Sequence, residues 1–121
     1  MQISTEQKRQ LEKIGKKYTL RFIILHGSFA TGKNHENSDL DIAVLSNEKI
    51  DLEKILNIYT EFAKIFPEMS DKLDIKDIYK SDPLFRYHVT RDSKLLYGDM
   101  TDYNEYKASS FTYYFDSQDL F

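Results

Sequence analysis

The chain has 121 residues, which suits one domain and is too short for two independently folded ones. Its 40% hydrophobic and 31% charged residues are typical of a globular protein, and a net charge of −3 with no basic stripe argues against a surface for long nucleic acid. It contains no cysteine, which excludes disulfides and thiolate metal sites. Because no secretory leader or membrane-length apolar run is visible, we expect a cytoplasmic protein without membrane segments.

The predicted elements alternate between helices and strands. Each is assigned from apolar periodicity and from capping or breaking residues such as Ser4, Gly32 and Pro67. In chain order they are a helix over 4–18, a strand over 20–26, a helical turn or two closed by Gly32, a strand over 40–45, a helix over 49–66, a strand over 72–79, a helix over 82–91 and a short strand over 94–98. This order predicts one α/β or α+β domain over residues 1–121, whose sheet is covered on at least one side.

The C-terminal segment 101–121 carries many aromatic residues without a clean period, so it is either a helix or a docked tail. Two interpretations of its aromatic side chains remain open. They either close the core or, from Tyr103 to Phe121, form a docking surface for a partner.

Two aspartates in "SDLDIAVL" stand at the start of the second predicted strand. Residues i and i+2 of a strand point to the same side, about 7 Å apart, so Asp39 and Asp41 face a common point. Like charges this close favour a divalent cation with oxygen ligands, magnesium or manganese. In "KLDIKDIY", Asp74 is the candidate third carboxylate if the two strands are neighbours. Asp77 falls on the opposite face, and we exclude it.

A Gly-Ser turn follows the first predicted strand in "HGSFATG". Gly27 has no side chain, so a phosphate can approach the backbone there, and Ser28 adds a hydroxyl at the start of a helical turn. Phosphates at this turn and metal ions at the aspartates would together permit attack on a nucleotide phosphorus, with Asp74 as metal ligand or proton acceptor. We assign no catalytic role to the three histidines.

These motifs, "HGSFATG", "SDLDIAV" and "LDI", closely resemble those of the minimal nucleotidyltransferase group of the DNA polymerase β-like superfamily. The resemblance covers about residues 20–98. It implies a nucleotidyltransferase-type domain with a small mixed sheet and flanking helices, and a C-terminal tail over about 101–121. It further implies that Gly27 and Ser28 bind the triphosphate and that Asp39, Asp41 and Asp74 are the catalytic, metal-binding carboxylates.

One position departs from the pattern of this group. Many members carry arginine where Thr31 stands, which removes a cation near the phosphates, and Lys33 is the candidate replacement.

Small members of the group resemble antitoxins of HEPN–MNT toxin–antitoxin pairs. That resemblance implies transfer of AMP from ATP to a tyrosine of a HEPN-type RNase toxin, with Mg²⁺ or Mn²⁺ as cofactor. Two alternatives remain: neutralisation of the toxin by binding alone, and a nucleotidyltransferase that modifies small molecules such as antibiotics. The chain is short for a separate acceptor-binding domain, which favours a protein that it docks as the acceptor.

Overall fold

A computed structural model describes residues 1–118, and these residues form five α-helices and four β-strands. A short 3₁₀ turn at Pro67–Met69 links the third helix to the third strand. The elements are α1 Thr5–Lys17, β1 Phe22–His26, α2 Ser28–Thr31, β2 Leu40–Leu45, α3 Leu52–Ile65, β3 Leu73–Asp77, α4 Pro83–Arg91, β4 Lys94–Tyr97 and α5 Met100–Gln118.

The helices α1, α3 and α4 begin at residues whose side chains accept free N–H groups of the first turn. Ser4 Oγ accepts from the Gln7 N–H at 3.1 Å, and Gln7 Oε1 accepts from the Ser4 N–H at 3.0 Å. This is the predicted capping box. Asp51 and Asp82 cap α3 and α4 in the same way, by accepting from the N–H three residues later.

The four strands form one mixed sheet in the order β3-β2-β1-β4. β1 runs antiparallel to both β2 and β4, whereas β2 and β3 are parallel. The parallel pair is joined by α3, the crossover that a parallel connection requires. The predicted α/β (α+β) class with a small mixed sheet and flanking helices is therefore confirmed.

Helices pack on both faces of the sheet. On one face, α1 and α3 bury side chains such as Leu11 and Phe62 against β1 and β2. On the other face, α4 and α5 bury Val89, Tyr103 and Tyr106. Both faces of β2 are consequently covered. A strand with strict apolar–polar alternation needs cover on one face only.

The aromatic C-terminal segment is a helix, and its two halves differ. Tyr103 and Tyr106 are buried and pack against Phe22, with ring centroids 5.2 and 5.5 Å away. Phe111 and Phe115 are exposed. The near half thus closes the core and the far half remains available at the surface. Residues 119–121 of the predicted tail lie outside the described residues, and a single domain over 1–121 stays a prediction.

Among residues 1–118, none of the helices combines the length and the apolar character needed to cross a membrane.

Candidate active site

Three aspartates lie at the end of the sheet where β1 ends and β2 and β3 begin. Asp41 and Asp74 are direct partners in the parallel register of β2 and β3. Parallel partners point to the same face, so their carboxylates lie side by side. Asp39 stands one residue before β2 and is exposed. The prediction that Asp74 lies beside Asp41 depended on the two strands being neighbours, and β2 and β3 are neighbours.

The electrostatics show that these carboxylates act on one another. Burial raises the pKa of the Asp41 carboxyl, and the negative charges of Asp74 and Asp39 raise it further, while Lys76 opposes them. Asp41 is half-buried on β2 and Asp39 is exposed, so solvent screens this repulsion only in part. The arrangement holds more negative charge than its surroundings neutralise.

The Gly-Ser turn lies directly against Asp41. Gly27 has φ 71° and ψ −157°, a conformation that L side chains rarely adopt, and a Cβ there would stand 2.2 Å from Asp41 Oδ2. Gly27 precedes α2 and offers no side-chain cap. Its carbonyl accepts from the Ala30 and Thr31 N–H groups at 3.1 and 3.3 Å, so the N–H groups of Ser28 and Phe29 are the ones at the start of α2 that this residue does not satisfy. Glycine is therefore required by two independent constraints: the backbone conformation and the adjacent carboxylate.

The loop between α2 and β2 is held by its own hydrogen bonds, which fix the approach to Asp39. Ser38 Oγ accepts from the His35 N–H at 2.8 Å, and the Ser38 N–H donates to the His35 carbonyl at 3.0 Å. The Lys72 ammonium donates to the Glu36 carbonyl and so ties the loop to the residue before β3. Asp39 is thus positioned by the loop as well as by the strand.

A magnesium site was predicted at the three aspartates, and their chemistry fits such a cation. Carboxylate oxygens are the ligands that Mg²⁺ and Mn²⁺ prefer. Burial first, and then the charges of Asp74 and Asp39, raise the pKa of the Asp41 carboxyl, and a bound cation would favour its charged form. The side chains do not, however, converge as a set. Within residues 1–118, no three Asp, Glu or His side chains are gathered closely enough to hold a metal ion. Asp74 Oδ1 lies 3.5 Å from Lys76 Nζ.

His26 and Lys76 also belong to this region, and the sequence analysis did not assign them to the site. His26 pairs with Asp41 across β1 and β2, and its Nε2 is buried without a hydrogen-bond partner in the described part of the chain. Burial lowers the pKa of the His26 imidazole, and so does Lys76, against the opposing effect of Asp74. A neutral imidazole beside the aspartates follows. Alternation along β3 already put Lys76 on the face of Asp74, whereas the place of His26 opposite Asp41 follows only from the strand register.

Asp77 lies away from these residues, at the far end of β3, where Oδ2 accepts from the Ile50 N–H at 2.8 Å and Oδ1 from the Tyr79 N–H at 3.0 Å. Its role is structural, in agreement with its exclusion.

Thr31 Oγ1 donates to the Ser28 carbonyl at 3.3 Å and closes α2, and Lys33 is exposed in the following loop. The suggested role of Lys33 as a cation for the phosphates stays a prediction.

The fold and these motifs define a family. The model of the "Polymerase beta, Nucleotidyltransferase" family matches residues 9–102, which is most of the chain. This range contains the Gly-Ser turn and all three aspartates. The chain belongs to this nucleotidyltransferase family.

Within the family, the chain is similar to proteins named protein adenylyltransferase MntA. It is 38% identical over 90 residues to the one from Aphanizomenon flos-aquae (strain 2012/KM1/D3), a match that covers 69% of this chain and 60% of that protein. It is 33% identical over 85 residues to the one from Shewanella oneidensis, covering 69% of this chain and 58% of that protein. The matched part thus spans about three fifths of these relatives' length.

Solved structures share the fold. A crystal structure of a toxin–antitoxin with AMP-PNP superposes with a TM-score of 0.75 at 24% identity, covering 92% of this chain and 89% of that one. A tri-AMPylated Shewanella oneidensis HEPN toxin in complex with MNT antitoxin gives a TM-score of 0.70 at 20% identity, covering 93% of this chain and 87% of that one. At these identities the likeness shows the fold.

Proposed function

We propose that this chain is a metal-dependent protein adenylyltransferase that transfers AMP from ATP to a tyrosine of a HEPN-type RNase toxin and thereby acts as its antitoxin. The observation that carries the proposal is the register of Asp41 with Asp74, which sets a carboxylate pair beside the Gly27–Ser28 turn. Relatives named protein adenylyltransferase and a neighbour described as a tri-AMPylated toxin bound to its antitoxin support the acceptor class.

The turn is the proposed binding place for the triphosphate. The Ser28 and Phe29 N–H groups start α2 ahead of the N–H groups that donate to the Gly27 carbonyl, and Ser28 adds a hydroxyl. Because Gly27 carries no side chain, a phosphate can approach the backbone next to Asp41. A neighbour crystallised with AMP-PNP supports ATP as the nucleotide.

Asp39, Asp41 and Asp74 are the proposed metal ligands, with Mg²⁺ or Mn²⁺ as the cation. When bound, such a cation neutralises phosphate charge and favours ionisation of the acceptor hydroxyl. The tyrosine oxygen forms a bond to the α-phosphorus of ATP, the bond from that phosphorus to the bridging oxygen breaks, and pyrophosphate leaves. Asp74, beside Asp41, is the proposed acceptor of the tyrosine proton.

The test is co-expression of the toxin with either the wild-type chain or an Asp39→Asn, Asp41→Asn double variant. We expect the wild type to add AMP to a toxin tyrosine, seen in the intact mass, and to protect the cells. The double variant should do neither. An Asp77→Asn variant is the matched control, since Asp77 lies at the other end of β3.

If the double variant protects as well as the wild type, neutralisation proceeds by binding alone and the enzymatic account of it is wrong. If neither chain labels the toxin but purified wild type labels an aminoglycoside with AMP, the protein acceptor is wrong. The cytoplasmic location stays a prediction.

A further inference from the structure

A second cavity, of about 560 Å³, lies at the opposite end of the strands from the aspartates. It is formed where β1 begins and where β2 and β3 end, and α4 and α5 close it. β2 runs through six residues from one end to the other, which at about 3.3 Å per residue separates the two places by roughly 17–20 Å. Its wall includes Arg21, Asn47, Lys80, Ser81, Arg86 and Tyr113. We call it the distal cavity.

The distal cavity is positively charged in a chain whose net charge is −3. Arg21, Lys80 and Arg86 line it, and its lining among residues 1–118 includes no carboxylate. Arg21 is neutralised by a two-point hydrogen bond to Asp102, at 2.9 and 2.7 Å. Lys80 and Arg86 form no salt bridge with any carboxylate of residues 1–118. Two positive charges therefore remain without a counter-charge in this part of the chain.

Arg86 is held in place by neutral groups. Its Nε donates to Ser110 Oγ and its Nη2 to Ser109 Oγ, both at 2.6 Å, and its guanidinium stands 4.2 Å from the centre of the Tyr106 ring. A guanidinium has five N–H donors, so three remain for a ligand. Fixing the side chain through hydroxyls and a ring, without a carboxylate, orients the guanidinium while leaving its charge free.

Lys80 and Ser81 extend the same set of donors. Lys80 is exposed and has φ 54°, in the left-handed region, and its Nζ stands 5.4 Å from the centre of the Tyr79 ring, which also lines the cavity. Ser81 Oγ is buried and has no hydrogen-bond partner in residues 1–118. A buried hydroxyl without a partner costs free energy, which a ligand acceptor would recover.

We propose that the distal cavity binds a small molecule through a phosphate group, held by Arg86 and Lys80. A phosphate carries close to two negative charges and at least three acceptor oxygens, which matches two free cations and their donors better than a carboxylate with one charge and two oxygens. The volume lies within the 300–1,000 Å³ of small-molecule sites. This site is separate from the proposed transfer chemistry and does not depend on it.

The test is titration of the ¹⁵N-labelled chain with inorganic pyrophosphate, with AMP and, as the carboxylate comparison, with succinate. The Asp39→Asn, Asp41→Asn variant in EDTA serves as the background, so that the aspartate end binds no metal. We expect pyrophosphate or AMP to shift the amide signals of residues 46–47 and 79–86, and succinate to bind at least tenfold more weakly. Pyrophosphate binding alone would indicate a free phosphate ligand, and tighter AMP binding a nucleotide; either supports the site.

Two variants locate the ligand. Lys80→Asn removes the charge but keeps a residue that tolerates the left-handed backbone, and Arg86→Gln removes the guanidinium. Each should weaken binding roughly tenfold or more, since hydrogen bonds to charged groups are the strong ones. The control is Lys64→Gln, an exposed lysine on α3 across the sheet, and it should bind as the background does. The proposal would be overturned if Lys80→Asn and the control bound equally well. It would also be overturned if the signal shifts were confined to residues 26–41, or if succinate bound as tightly as the phosphate compounds.

Discussion

At the scale of single residues, the candidate site depends on one backbone position more than on any side chain. Gly27 and Gly32 flank the short helix α2, with φ of 71° and 75°. They differ in what surrounds them: a Cβ at Gly27 would meet Asp41 Oδ2 at 2.2 Å, whereas a Cβ at Gly32 would meet nothing within 4 Å. The two glycines therefore form a natural pair for comparison.

Replacing Gly27 with alanine should abolish AMP transfer while leaving the fold intact. The added Cβ must displace either the Asp41 carboxylate or the turn, and a misplacement of about 1 Å at a reacting centre costs on the order of 100-fold in rate. Gly32→Asn is the control, because asparagine tolerates the left-handed conformation that Gly32 adopts. Initial rates of toxin labelling with ATP should fall about 100-fold or more only for Gly27→Ala. Equal rates for the two variants would contradict the role given to this turn.

The same scale shows why the sequence predicted part of the site. Alternation within "LDI" put Asp74 on the face away from Leu73 and Ile75, so it was identifiable as the third carboxylate. The same alternation put Lys76 beside Asp74, whereas the proximity of His26 to Asp41 depends on which residues pair across strands. The pairing of His26 with Asp41 is fixed by the turn and loop between β1 and β2, whose geometry a residue pattern does not contain.

At the scale of the elements, the two halves of α5 differ in burial. Its first half is fixed to the sheet by Tyr103, by Tyr106 and by the ion pair from Arg21 to Asp102. Its second half exposes Phe111 and Phe115, which stack on each other with ring centroids 6.1 Å apart. Aromatic residues are enriched in protein interfaces, so this second half is the proposed contact with the toxin. Aperiodic aromatics left both interpretations open in the sequence: closure of the core is confirmed for the first half, and docking stays a prediction for the second half.

A double Phe111→Ser, Phe115→Ser variant should bind the toxin more weakly without losing stability. Exposed side chains contribute within about 0.5 kcal/mol to folding, whereas losing two aromatic contacts should lower affinity for the toxin at least tenfold. Tyr106→Ala is the contrasting variant: removing a buried aromatic should cost about 3–5 kcal/mol of the free energy of unfolding. Urea denaturation and a toxin-binding titration measure the two quantities. Unchanged affinity in the double serine variant would remove α5 from the interface.

At the scale of the whole molecule, opposite charges occupy opposite ends of the strands. Asp39, Asp41 and Asp74 lie where β2 and β3 begin, and the free cations Lys80 and Arg86 lie beyond where β3 ends. The order of helices and strands was predictable because apolar periodicity and caps encode it locally. The sheet order and the covering of both faces were not, because they follow from packing between distant segments.

The clustered aspartates should make the metal-free molecule less stable than it would be with one charge fewer. In EDTA, Asp41→Asn should therefore raise Tm, because it removes the carboxylate on which burial, Asp74 and Asp39 all act. A gain of 1 kcal/mol corresponds to roughly 4 °C for a domain of this size, and solvent screening should keep the gain below that. Asp77→Asn removes a carboxylate that accepts two backbone N–H groups, so it should lower Tm or leave it unchanged.

Added Mg²⁺ should then raise the Tm of the wild type and not that of Asp41→Asn, since a ligand that binds only the folded state stabilises it. Thermal denaturation of the three chains with and without Mg²⁺ measures this. A wild type that is as stable as Asp41→Asn in EDTA, or an Asp41→Asn variant that responds equally to Mg²⁺, would contradict the assignment of Asp41 as a metal ligand.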